Sequence, residues 1–227
     1  MHKIAVYLSG RVRGYENTIE KIKEKFFNNY DVDIFVSIDN EKDAYHQHFE
    51  DTVKPVGSFY EKYDRMFSQL PVAPAECKHR NSLAMFYHNS YAMKLIMDNI
   101  RNNNVHYHAV VKFRVDIESE DSFIIPDNII KNGIYIPNGN NYRGICDQIA
   151  FGDVQSMLIY STLFMHVHNY IYAKKAFFSP EYLLNFHINE NNMNIIRFPY
   201  NFNLVNSRFN TPQEHTREHS NSSESPP

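Results

Sequence analysis

Between His108 and Asp121 the chain reads HAVVKFRVDIESED, and three charged side chains, Arg114, Asp116 and Glu118, fall at alternate positions. If the strand begun by Ala109, Val110 and Val111 continues past Phe113, alternation puts all three on one face. Two carboxylates so placed suit a hard divalent cation, which such proteins share with substrate phosphates. The plainer reading of the same residues is a salt bridge at a strand edge. A second group lies near the start, in Ser9-Gly10-Arg11-Val12-Arg13-Gly14. Here two guanidiniums are available to phosphate, the glycines let a ligand approach the backbone, and a helix follows whose N-terminus favours anions. The segment is neither GxGxxG nor a P-loop, and the alternative is a plain turn with solvated arginines. Asp39 is placed to accept hydrogen bonds from a ribose or base, or to serve as a turn aspartate. Arg80 closes the cluster Lys78-His79-Arg80, a solvated face or a phosphate contact, and Asp147 stands at the entrance to an apolar run.

These residues need elements to hold them. Lys3 to Leu8 reads as a short apolar strand, and Ile19, Ile22 and Phe26 recur at helical spacing until Asn28-Asn29 ends the helix. Asp33 to Ile38 is the next strand, at crossover distance for a parallel βαβ unit, with Asp39 at its carboxyl end. From Asn40 to His79 the periodicity fails, and the stretch reads as a long insertion with a short helix around Tyr60 to Gln69; loops of this length are usually functional. Asn81 to Arg101 is a long helix with an apolar stripe of Phe86, Met93, Ile96, Met97 and Ile100. It delivers the strand of the opening cluster. Further strands are expected at 134–136, 149–151, 195–198 and 202–205, with helices over 154–168 and 180–189. His166 and His168, two apart on a helix, point to different faces and do not form a metal pair. Beyond Asn210 the chain is polar and without periodicity, which predicts a disordered tail in which His215 and His219 are weak metal candidates.

Composition narrows the classes. A chain of 227 residues with 43% hydrophobic content can bury a core unaided. The two cysteines, Cys77 and Cys146, are far apart and outside CxxC spacing, so neither a disulfide framework nor a structural zinc site is expected. A formal charge of −3 without a basic face argues against nucleic acid as partner. No secretory signal or transmembrane segment is legible, so the chain is expected to be soluble and cytoplasmic.

The order SGRVRGYE after the first strand, RNSLAMFYHNSYAMKLI leading into VVKFRVDIE, then CDQIAFGD and SPEYLL, resembles the GT-A-type glycosyltransferases over most of residues 3–205. It is similar to small transferases that build surface polysaccharides and to the N-terminal glycosyltransferase domain of capsid-glycosylating proteins of large algal viruses. The resemblance implies an α/β, Rossmann-type, mostly parallel sheet with helices on both faces over residues 1–208, and a tail or linker at 209–227, with further domains possible beyond it. It implies transfer of a sugar from a nucleoside diphosphate donor, a UDP-sugar, to a glycan or glycoprotein acceptor, in the host cytoplasm for a viral protein. Mn²⁺ or Mg²⁺ would be held where that family carries DxD; here the place reads Arg114-Val115-Asp116-Ile117-Glu118, with Asp116 the main contact and Glu118 or a water completing it. Ser9, Gly10, Arg11, Arg13, Asp39 and Arg80 would bind the nucleotide diphosphate. Arg114 would help stabilise the leaving group, and Asp147 would act as the base of an inverting enzyme or bind the donor sugar. Two other classes share these features: a sugar-phosphate nucleotidyltransferase, and a carbohydrate-binding module that has kept the fold without turnover.

Overall fold

The computed structural model describes residues 1–12, 14–62 and 80–205. Arg13, Cys77, Lys78, His79, residues 63–69 of the expected short helix, and the tail with His215 and His219 lie outside the described residues. The elements run β1 (Lys3–Gly10), α1 (Ile19–Lys25), β2 (Asp31–Ile38), α2 (Ala44–Val53), β3 (Gly57–Tyr60), α3 (Arg80–Asn103), β4 (Ala109–Phe113) and β5 (Ile117–Glu118). They continue with β6 (Gly133–Pro137), β7 (Ala150–Gly152), α4 (Val154–Ser161), α5 (Leu163–Tyr172), α6 (Pro180–Glu190), β8 (Asn194–Phe198) and β9 (Asn203–Leu204).

Among the described residues the main sheet has seven strands in the order β3-β2-β1-β4-β7-β6-β8. β3, β2, β1 and β4 are parallel, β7 runs against both β4 and β6, and β6 pairs parallel with β8. The fold is therefore α/β with a mostly parallel central sheet, as the sequence predicts. The chain builds outward from β1 through β2 to β3, then returns along α3 to place β4 on the other side of β1. That reversal of direction makes a switch point between β1 and β4.

Strand alternation splits the core in two. Ile4, Val6 and Leu8 of β1 join Ile19, Ile22 and Phe26 of α1 and Phe49 and Val53 of α2 on one side. Ala5 and Tyr7 join Phe86, Met93 and Ile96 of α3 and apolar residues of α4, α5 and α6 on the other. A parallel sheet covered on both faces needs such continuous apolar runs, since the body of a central strand does not face water.

Two expectations give way here. The segment after Asp39 contains α2 and β3, and Tyr60 belongs to that strand, not to a helix. The helix expected over 154–168 is two helices that meet at Thr162, whose hydroxyl donates to the Ile159 carbonyl at 2.7 Å. A side-chain bond of this kind competes with the helical ladder. No helix among the described residues is long and apolar enough to cross a membrane.

Candidate functional site

The carboxyl ends of β1, β2 and β4 open onto a cleft of about 240 Å³. Because β7 is antiparallel, its entrance lies at this same edge of the sheet and brings Asp147 to the cleft. The first turn of α3, through Asn81 and Ser82, and Pro180 at the start of α6 complete the wall. Sequence logic places a phosphate at the N-terminus of α1, but α1 begins only after a 3-10 turn at Tyr15–Asn17. The helix end that reaches the cleft belongs to the 24-residue α3, whose dipole presents its positive end there.

On the β1–β2 side, Ser9 donates to Asn89 Oδ1 of α3 at 2.6 Å, which ties the end of β1 to that helix. Gly10 has φ +102, a conformation that an L side chain would strain, and its carbonyl accepts from the Asp39 N–H at 2.8 Å. Asp39 is 8% exposed. Its Oδ2 accepts from Arg80 Nη1 at 3.2 Å and lies 3.8 Å from Arg11 Nε. Arg80 therefore reaches the cleft through Asp39, while Arg11 lines it directly. Beneath them His88, fully buried on α3, shares a 2.8 Å hydrogen bond through Nδ1 with Ser37, and its Nε2 is 4.0 Å from Asp39 Oδ1. Burial pushes the His88 imidazole down to about 4, against the raising effect of Asp39, so the ring is neutral near pH 7.

On the β4 side, Arg114 grips Asp116 through Nε and Nη2 at 2.8 and 2.6 Å. Burial works to lower the Arg114 pKa, but the hydrogen bonds and charge of Asp116 outweigh it and the net shift is upward. Lys112, 1% exposed in the middle of β4, donates to the backbone carbonyl of Asp147. Burial pushes its ammonium down to about 8, opposed chiefly by the Asp147 carboxylate. Cys146 is buried beside them, and burial pushes its thiol up, which leaves it a poor nucleophile at neutral pH.

The cleft thus gathers Ser9, Gly10, Arg11, Asp39, Arg114, Asp116 and Asp147 from stretches spread over the chain. Glu118 is a correction. The strand does not continue past Phe113; Val115 and Asp116 form a turn, and alternation no longer relates residue 116 to residue 118. Asp116 is buried in the cleft, whereas Glu118 is exposed in a neighbouring groove and lies 3.3 Å from Lys21 of α1. Among the described residues no three His, Cys, Asp or Glu side chains converge as a metal-binding group. His166 and His168 are exposed on α5. Sequence reasoning passed over Lys112 and His88. The first left a readable signal, a lone ammonium between Val111 and Phe113 in a strand otherwise apolar; the second left none, since an imidazole on a helix is ordinary.

Residues 1–212 match the family described as Domain of unknown function (DUF7796), and the chain belongs to that family. No curated protein matches it.

Proposed function

We propose that this DUF7796 domain is a glycosyltransferase that takes a sugar from a nucleoside diphosphate sugar, a UDP-sugar, and passes it to a hydroxyl of a glycan or glycoprotein. The observation that carries the reading is the meeting of Arg11, Lys112 and Arg114 with Asp39, Asp116 and Asp147 at the switch point of the sheet, the place where open α/β sheets bind nucleotides. Asp39 at the end of β2 would take the ribose or base, with Arg80 and His88 fixing its orientation. The diphosphate would lie toward β4. Breaking the anomeric C–O bond leaves negative charge on the diphosphate, and cations already in position stabilise it without reorganisation. Asp147, 8% exposed at the cleft, would take the proton of the acceptor hydroxyl or hold a sugar hydroxyl. At about 240 Å³ the cleft falls short of the ~300–1,000 Å³ pockets that enclose a whole ligand. A nucleotide sugar would extend beyond its rim.

The divalent cation that the GT-A resemblance implies does not fit the pair Asp116 and Glu118 as they stand. Both oxygens of Asp116 are held by Arg114, and Glu118 is turned to Lys21. No step above runs through a metal.

Calorimetry with UDP and GDP, followed by product analysis with a panel of sugar nucleotides and glycans, tests the reading. Arg11→Ala is expected to weaken nucleotide binding by roughly tenfold, the loss of one charge-assisted contact. Formation of a sugar nucleotide from sugar phosphate and UTP would instead make the chain a nucleotidyltransferase. Glycan binding without any nucleotide affinity would make it a binding module.

A further inference from the structure

We propose that the cleft neutralises a diphosphate with the fixed side-chain cations Lys112 and Arg114, and so binds nucleoside diphosphates without a divalent metal ion. The inference rests on the donor reading above and specifies how that site works.

Lys112 is the strongest reason. An ammonium has three N–H donors, and burying it away from water is costly unless those donors and its charge are met. Lys112 is 1% exposed and lines the cleft, yet its protein hydrogen bond among the described residues is the one to the Asp147 carbonyl. Its remaining donors are buried at the edge of an open polar cleft. An apolar residue would serve the sheet better at this position, between Val111 and Phe113 in a strand that is buried throughout. A side chain kept there against that cost suits an anion that enters the cleft and accepts from it.

Arg114 adds the second cation. Its Nε and Nη2 are spent on Asp116, and Nη1 makes no protein hydrogen bond among the described residues. The Asp116 carboxylate thus orients the guanidinium. A carboxylate used in this way is not offering its oxygens to a metal, and Glu118 is beyond the turn in another groove. Among the described residues around the cleft, Arg11, Arg80, Lys112 and Arg114 outnumber Asp39, Asp116 and Asp147 by one positive charge. A planar guanidinium that binds two oxygens and an ammonium that acts as a point charge are a known division of labour toward phosphates.

The test uses the full chain with two probes, UDP and inorganic pyrophosphate, titrated in EDTA and again in excess Mg²⁺. Each probe is expected to bind with the same affinity in the two buffers, within about threefold. Lys112→Met, which keeps the unbranched stem of the side chain and removes its charge, is expected to weaken both probes by tenfold or more; circular dichroism verifies that the variant is folded. Glu118→Gln is expected to change neither. Should Lys112→Met fail to fold, Arg114→Gln gives the same reading from the other cation. Binding that appears only with Mg²⁺ overturns the inference and leaves the donor reading standing. Pyrophosphate binding that is insensitive to EDTA and lost in Lys112→Met, without UDP binding, keeps the neutralisation by side chains but overturns both the nucleoside diphosphate as its ligand and the donor reading. Absence of binding by either probe in both buffers overturns both.

Discussion

Two ion pairs in the cleft differ in what they contribute to the fold. The Arg114–Asp116 pair is bidentate, with side chains 25% and 6% exposed. In the Arg11–Asp39 pair the atoms are 3.8 Å apart and the arginine side chain is 53% exposed. Removing one partner of a buried pair leaves the other charge uncompensated, at about 3–5 kcal/mol, whereas an exposed pair contributes about 0–1 kcal/mol. Asp116→Asn keeps the shape and one acceptor, so its expected cost in urea unfolding is near the lower end, about 3 kcal/mol. Arg11→Ala should change stability by less than about 1 kcal/mol, so its effect is expected in nucleotide binding alone. Equal costs for the two variants would contradict this account of Asp116. The sequence made the charged cluster after β4 visible, because Arg114 and Asp116 follow an apolar run. It could not show the turn that sends Glu118 away. That turn is held from a distance: Thr18 donates to the Val115 carbonyl, and Val205 N–H donates to the Asp116 carbonyl at 2.9 Å. Alternation is a property of extended chain, and partners so remote in sequence decide where extension ends.

Among the elements, the approach to β7 positions Asp147 through a close packing that depends on one glycine. A Cβ on Gly144 would lie 2.0 Å from the Glu181 carbonyl oxygen and 2.5 Å from the Tyr182 nitrogen, backbone atoms in the first turn of α6. That helix cannot yield cheaply, since its cap Ser179 and the hydrogen bond from Ile145 N–H to the Glu181 carbonyl fix it. Gly144→Ala is expected to cost about 3 kcal/mol and to displace both Asp147 and Pro180 at the cleft wall. Gly139, with nothing within 4 Å of its would-be Cβ, is the control; Gly139→Ala should stay within about 0.5 kcal/mol. Thermal unfolding of the two variants decides it, and similar midpoints would refute the packing argument. Element reading from sequence worked where the apolar pattern was strong, as in β1, β2 and α3, and at α6, where Pro180 and Glu181 mark the first turn. It failed at α2, whose buried residues are His46, Phe49 and Val53 among polar neighbours, so no stripe stands out. The signals there were terminal: Asp43 caps the helix by accepting from the His46 N–H, and Lys54 ends it in a left-handed conformation before Pro55. β3, four residues at the sheet edge, has too short a period to detect.

At the scale of the whole molecule, the core layer that α3, α4, α5 and α6 form on one face of the sheet is pinned by two neutral imidazoles, and this sets how the fold responds to acid. His88 joins α3 to β2 through Ser37. His187 of α6 donates from Nε2 to the Ile159 carbonyl of α4 and accepts at Nδ1 from the Tyr170 hydroxyl of α5, each at 2.8 Å, so three helices meet on one ring. Burial lowers each imidazole from 6.5 to about 4. An imidazole whose folded pKa lies below its unfolded value is protonated more readily in the unfolded chain. Unfolding then takes up protons between those two values, and stability falls as pH drops through that window. The expected loss is about 2 kcal/mol per histidine between ~pH 7 and ~pH 5, or about 4 kcal/mol for the pair. Paired carboxylates act lower in the range. Asp43, for example, is held below its ordinary value by the His46 backbone N–H, so its contribution is lost only in stronger acid. Urea unfolding at ~pH 7, ~pH 6 and ~pH 5 measures the slope, and His88→Gln combined with His187→Gln should flatten it even where the double variant is less stable throughout. A wild-type stability that stays level across this range, or a double variant with an unchanged slope, would show that these imidazoles titrate alike in the folded and unfolded chain.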